Sequence, residues 1–253
     1  MELFDLTGKV AIITGSSKGI GEAMALALAR AGAKVVISSR KQESVDEVAA
    51  RFNAEGFEAI GIACHVGDKA QLENLVNKTI EAFGRIDILI NNAATNPIFG
   101  PIEDASSDAF DKIMNVNVKS PWILSNLCLP ELKKNNGTVI HIASVEGLHP
   151  GFGLGLYSVS KASLIMLTKN QAKEWGKYGV RANAICPGLV KTKFSSALWK
   201  NDKVLQQLET MIPAGRMAMP EEITGLAVLL ASNAASYMTG GVYTADGGYL
   251  IAG

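Results

Sequence analysis

The stretch Val10-Ala11-Ile12-Ile13-Thr14-Gly15-Ser16-Ser17-Lys18-Gly19-Ile20-Gly21 joins a short apolar run to three closely spaced glycines. A helical pattern follows at once, with Ile20, Met24, Ala27, Leu28 and Ala31 on one face. The apolar run does not alternate with polar residues, so it reads as a strand buried on both sides. Glycine belongs in the turn between them, because the backbone must adopt conformations that a Cβ forbids and must approach a bound group closely. The N-terminus of the following helix then turns unpaired N–H groups and a partial positive charge toward an anion. The spacing G-x-x-x-G-x-G is a cousin of the dinucleotide fingerprint G-x-G-x-x-G, and strand before with helix after makes the signal strong.

Outward from this stretch, Val/Ile-rich runs recur at Val35-Val36-Ile37, Ala59-Ile60-Gly61-Ile62, and over 86–90, 139–143 and 180–186. The first four begin near residues 9, 34, 58 and 86. That rhythm of strand, crossover helix and strand predicts an α/β protein with a parallel sheet and helices on both faces. The second helix carries Val45, Val48, Ala49 and Phe52 on one face and stops near Gly56. No linker or charge block divides the chain, which favours one domain over residues 1–253. Over 193–215, Trp199, Leu205, Leu208 and Met211 are interleaved with Lys200, Asp202 and Lys203. This is the pattern of a substrate lid or of an ordinary peripheral helix.

The 253 residues are 48% apolar, and 24 Lys+Arg balance 24 Asp+Glu. A neutral chain does not favour electrostatic capture of nucleic acid or an anionic membrane. Cys64, Cys128 and Cys186 are odd in number and far apart, which argues against a disulfide scaffold or zinc cluster and for a reducing compartment. The start lacks the basic and apolar regions of a secretory signal. Runs such as 226–231 fall short of the ~20 residues of a membrane span, so a cytoplasmic protein is expected. His65, His141 and His149 have no partner at metal-ligand spacing, and no metal is expected. His141 reads as a satisfied core residue and Cys186 as packing, while His149 and Glu146 lie near the expected substrate entrance.

The second strand ends Ser38-Ser39-Arg40, where an acid would bind a ribose 2′-hydroxyl. A carboxylate there would repel a 2′-phosphate; a guanidinium engages one through two parallel hydrogen bonds. With Lys18 as a second charge, the reading is NADP(H), the alternative being that both are ordinary solvated cations. Further on, Tyr157-Ser158-Val159-Ser160-Lys161 opens a helix running to about Lys177 and stacks Tyr157 and Lys161 on one face. An ammonium about 4 Å away, at an effective dielectric near 20, favours the phenolate by up to ~4 kcal/mol before desolvation is subtracted. Such a phenol exchanges protons with a carbonyl or alcohol oxygen. Ser144 ends a buried-type strand 13 positions earlier, at the side of a parallel sheet where ligands bind.

Taken together, these residues resemble the short-chain dehydrogenase/reductase family over nearly the whole chain. The landmarks are Thr14-Gly15-x-x-x-Gly19-x-Gly21, Asn91-Asn92-Ala93-Ala94, Asn117, Ser144, Tyr157-x-x-x-Lys161, Pro187-Gly188, Thr239-Gly240-Gly241 and Asp246-Gly247-Gly248. The resemblance implies a single-domain, Rossmann-type doubly wound fold with a seven-stranded parallel sheet, and a homotetramer. It implies Tyr157 as acid/base, Lys161 as the group that lowers its pKa and holds the nicotinamide ribose, and Ser144 as orienter of the substrate carbonyl. Asn117, rather than Asn115, is similar to the family's support for a water-linked proton relay. The cofactor would be held by Gly15, Ser17, Lys18, Gly19, Ile20 and Gly21, by Ser39 and Arg40, and by Asn92 and Ala93 along the adenosine ribose. Pro187, Gly188, Val190 and Thr192 would take the carboxamide. His65 stands where many relatives carry an aspartate near the adenine, leaving the Val66 backbone to read its edge. The implied activity is that of an NADPH-dependent carbonyl reductase acting on a small ketone, aldehyde or alcohol. Its rivals are a 3-oxoacyl carrier-protein reductase with the same catalytic set and a non-catalytic NADP(H)-binding regulator.

Overall fold

A computed structural model describes residues 2–252, apart from the side chains of Ala197 and Val204; the expected domain limits, Met1 and Gly253, lie outside the described residues. Seven strands form one sheet: β1 Val10–Thr14, β2 Lys34–Ser39, β3 Ala59–Ala63, β4 Ile88–Asn91, β5 Thr138–Ile142, β6 Arg181–Pro187 and β7 Val242–Ala245. Their order is β3-β2-β1-β4-β5-β6-β7, and every pairing is parallel. This is the expected doubly wound architecture. Of the strands, β7 has no counterpart among the apolar runs, because it is short and only half-buried.

The helices are α1 Gly19–Arg30, α2 Gln42–Ala54, α3 Lys69–Phe83, α4 Ser107–Met114, α5 Ser120–Asn135, α6 Gly155–Trp175, α7 Ser196–Trp199, α8 Asp202–Thr210 and α9 Thr224–Ala231. Successive strand residues point to opposite faces, so Ile13, Val35 and Ile37 pack with Met24 and Leu28 of α1 and Phe52 of α2. Ile12, Val36 and Leu89 pack on the other face with Leu72 and Leu75 of α3 and Leu124 and Leu132 of α5. Each fully buried Leu, Ile or Phe stabilises the sandwich by about 1.5–3 kcal/mol. Both faces are covered, which is why the strands lack polar alternation.

Two details position the site. The chain winds in one direction from β1 to β3 and in the other from β4 to β7, so the order reverses between β1 and β4; a crevice opens there at the strands' carboxyl ends. Between α4 and α5 the backbone widens into a π-turn over Asn115–Lys119, a feature common at functional sites. The extra residue rotates Asn117 inward, leaving it 1% exposed.

Candidate active site

The glycine loop and the end of β4 meet across the crevice. Asn92 Nδ2 donates to Thr14 O at 2.8 Å and Gly15 O at 3.1 Å, while the Asn92 and Ala93 amides donate to Thr14 Oγ1 at 3.0 and 3.1 Å. Gly15 and Gly19 have φ of +66° and +62°. A Cβ on Gly21 would stand 2.5 Å from both Gly15 O and Asn92 Nδ2, so α1 can approach the loop only as glycine. The N-cap of α1 is Lys18, which makes no side-chain cap, so the first amides of the helix are left for an outside acceptor. Across from them, a methyl on Gly19 would lie 3.4 Å from Thr192 Cγ2. The phosphate cradle and the loop after β6 are thus two walls of one narrow cleft, and the residues fit an extended dinucleotide. Lys18, at the N-cap of α1, and Arg40, after β2, are exposed, and Ser39 is half-buried. His65 is exposed and Val66 half-buried after β3, where Asp68 caps α3 through Ala70 and Gln71 N–H groups.

At the other end, Ser144 follows β5 and opens a tight turn over Val145–Gly147, its Oγ accepting from Glu146 N at 3.1 Å. Tyr157 lies in the first turn of α6, with Lys161 one turn on. Lys161 is 2% exposed; its Nζ donates to Ile142 O at 2.7 Å and sits 5.5 Å from the centre of the Tyr157 ring. Asn117 Nδ2 donates to Thr95 O and to Ser160 Oγ, both at 3.0 Å, and its Oδ1 accepts from Thr95 N at 2.8 Å. Its side chain therefore joins the 95–99 loop to α6 beside Lys161. Phe194 closes the far side, its ring 6.0 Å from that of Tyr157.

The electrostatics differ from the sequence expectation. Desolvation pushes the Tyr157 phenol above its ordinary value; a Ser144 hydrogen bond pulls it down, and the Glu146 charge pushes it up further. Burial likewise lowers Lys161 to about 8. In the chain alone the ammonium is turned to the Ile142 carbonyl, and the cost of burying charge exceeds the attraction between the two side chains. The Cys186 thiol, at the end of β6, is raised to about 11 by burial. It packs with Ala143, Ile165 and Ala184 as expected, but it also faces the site.

The sequence reading did not single out the Thr95–Asn117 pairing, the contacts of Glu146 or the approach of Tyr249, whose phenol feels the Glu146 charge. Only the Asp246-Gly247-Gly248 turn hinted at the last. Asp246 accepts from Gly248 N and Leu250 N, both at 3.0 Å, and curls the tail toward Gly188. At the start of the 193–215 segment the chain folds back on Thr192, whose carbonyl accepts from Trp199 Nε1 at 2.9 Å. Exposed Phe99, Leu148, Phe152, Phe194 and Met211 make the rim apolar. Among the described residues no group of three or more His, Cys, Asp or Glu is arranged to hold a metal, and no helix is long and apolar enough to cross a membrane.

A family model described as enoyl-(acyl carrier protein) reductase matches residues 15–250. The chain is 43% identical over 244 residues to the rabbit (Oryctolagus cuniculus) dehydrogenase/reductase SDR family member 4, covering 96% of this chain and 94% of the relative. The human protein of that name is 40% identical, covering 96% and 88%. Among solved structures, a gluconate 5-dehydrogenase from Burkholderia cenocepacia J2315, in complex with NADP and tartrate, superposes with a TM-score of 0.95 at 32% identity, over 98% of both chains.

Proposed function

The chain belongs to the short-chain dehydrogenase/reductase family of oxidoreductases, and from that premise we propose that it moves hydride between NADP(H) and a ketone or aldehyde, or the corresponding alcohol. The observation that carries the reading is the convergence of Ser144, Tyr157 and buried Lys161 at the carboxyl end of β5, in the same cleft as the glycine loop. When bound, the dinucleotide supplies or accepts the hydride. Tyr157 gives its proton to the carbonyl oxygen in reduction and takes one from the hydroxyl in oxidation. Ser144 donates to the same oxygen and polarises it. Lys161 holds the nicotinamide ribose and favours the phenolate. Asn117 keeps the proton route beside Lys161 in place, through Thr95 and Ser160.

Gly15, Ser17, Lys18, Gly19, Ile20 and Gly21 hold the diphosphate in this reading. Ser39, Arg40 and Lys18 take the 2′-phosphate. His65 and Val66 flank the adenine, Asn92 and Ala93 the adenosine ribose, and Pro187, Gly188, Val190 and Thr192 the carboxamide. One domain carries both functions, 193–215 is the lid, and the apolar rim suits a medium-sized hydrophobic carbonyl compound. A cytoplasmic homotetramer belongs to the same proposal. A 3-oxoacyl carrier-protein reductase shares the catalytic set and is the alternative enzyme; a non-catalytic regulator would have no use for the Tyr157–Lys161 pair.

A turnover screen over ketones, aldehydes and a 3-oxoacyl thioester, with NADPH and NADH, tests the reading. NADPH should bind more tightly, and Arg40→Ala should cut that preference about tenfold or more through the lost charged hydrogen bonds. Tyr157→Phe should lose roughly 10²–10⁴-fold in turnover while still binding cofactor. Undiminished turnover in Tyr157→Phe overturns the reading.

A further inference from the structure

Helix α6 begins without a side-chain cap, and its first turn holds no acid. A 21-residue helix that carries Tyr157 and Lys161 thus lacks, in its own sequence, the negative partner that stabilises a helix N-terminus. Glu146 supplies it from the neighbouring turn. Its Oε2 accepts from Ser158 Oγ at 3.2 Å and, from the opposite side, from Gly151 N at 2.6 Å. Space for this carboxylate exists because residue 151 is glycine: a Cβ there would lie 2.8 and 2.9 Å from the two carboxylate oxygens. One side chain therefore ties the loop between β5 and α6 to the opening turn of the helix. That loop carries Leu148 and Phe152 on the pocket rim.

We propose that Glu146 is a positioning residue for the reaction, clamping the substrate loop at Gly151 to α6 at Ser158 and holding a negative charge beside the Tyr157 hydroxyl. This rests on the oxidoreductase reading above. The ionisable groups facing the phenol are Glu146 from the turn after β5, Cys186 from β6 and Lys161 from α6, with Ser144 as hydrogen-bond partner. Tyr249 of the tail faces Glu146 in turn. Of these, Glu146 is the acid of the turn that also contacts the loop. Its charge opposes the phenolate, so it delays proton release from Tyr157 as pH rises. The acid form is the one that reduction requires.

Glu146→Gln and Glu146→Ala separate the clamp from the charge. Gln keeps one acceptor oxygen of the same reach for Gly151 N and Ser158 Oγ, while it removes the charge and puts an NH₂ in place of the other oxygen. The pH at which carbonyl reduction falls away should drop by roughly half a unit or more in Glu146→Gln, with KM near that of the wild type, and alcohol oxidation should set in at correspondingly lower pH. Glu146→Ala should show the same drop and a several-fold higher KM. Hydrogen exchange at the Gly151 amide, which needs no turnover, should stay slow in Glu146→Gln and become fast in Glu146→Ala. Unmoved pH midpoints in Glu146→Gln, or unchanged Gly151 exchange in Glu146→Ala, overturn the proposal. Full turnover in Tyr157→Phe would instead strike the oxidoreductase reading, and the exchange result would still decide the clamp.

Discussion

His141, in the middle of β5 and fully buried, has both ring nitrogens engaged. Nε2 lies 2.8 Å from Gln171 Oε1, and Nδ1 lies 3.4 Å from Asn91 Nδ2. An amide oxygen at one nitrogen and an amide NH₂ at the other select the neutral ring with its proton on Nε2. Burial lowers its pKa to about 4 from 6.5, with the nearby Lys161 charge acting in the same direction. Because the folded value is depressed, the unfolded chain takes up the proton first as pH falls. The stability of the neutral form is therefore whole above pH 6.5 and lost progressively toward pH 4, by about 3 kcal/mol. Urea midpoints measured at pH 7 and near pH 4.5 should differ less in His141→Gln than in the wild type; an equal difference would remove His141 as the cause. The same physics governs Tyr157 and Lys161. Their spacing was legible in the sequence, but the cost of burying them depends on the walls around them, and a linear reading does not contain those walls.

At the scale of elements, the amino ends of β1 and β4 are joined by a charge cluster that no motif announced. Asp87, 2% exposed, accepts from Arg85 Nε at 2.8 Å, Arg85 Nη2 at 2.7 Å, Val10 N at 3.0 Å and Lys9 Nζ at 3.3 Å. Asp87→Ala strands the buried Val10 amide while the partly exposed Lys9 and Arg85 turn to solvent, so it should cost about 1–3 kcal/mol in chemical denaturation. A loss under ~0.5 kcal/mol would mean that the cluster contributes nothing. At the opposite ends of the same strands, Gly21→Ala should weaken cofactor binding at least tenfold, since the added methyl forces α1 off the Gly15 carbonyl and Asn92. Fluorescence titration with NADPH reads this directly, and wild-type affinity would show that the close approach is dispensable. The π-turn at Asn115–Lys119 escaped the sequence reading because Asn115-Val116-Asn117-Val118-Lys119 carries no proline, glycine or cap that marks a widened turn inside a helix. The tertiary contacts of the turn, Asn117 with Thr95 and Ser160 and Asn115 with the Gly67 carbonyl, reward the extra residue.

For the whole molecule, Trp122 of α5 and Met166 of α6 are 49% and 55% exposed, and Phe110 of α4 is exposed with them. Large apolar side chains left open on neighbouring helices are the surface expected of an assembling chain. Sizing by light scattering should give a tetramer, and Trp122→Glu combined with Met166→Glu should lower the mass; a monomeric wild type would contradict the assembly. By itself the sequence determined the strand–helix rhythm, the glycine turn after β1, the Tyr157–Lys161 spacing and the absence of an acid after β2. These are local patterns, set by backbone sterics and by periodicities of two and 3.6 residues. Only the tertiary structure decided which loops became walls of one cleft, that Glu146 reaches Gly151 and Ser158, and that Lys161 turns to Ile142. Those contacts join residues brought together by the winding of the sheet, and their energies are set by burial, which is a property of the packed molecule and not of any segment.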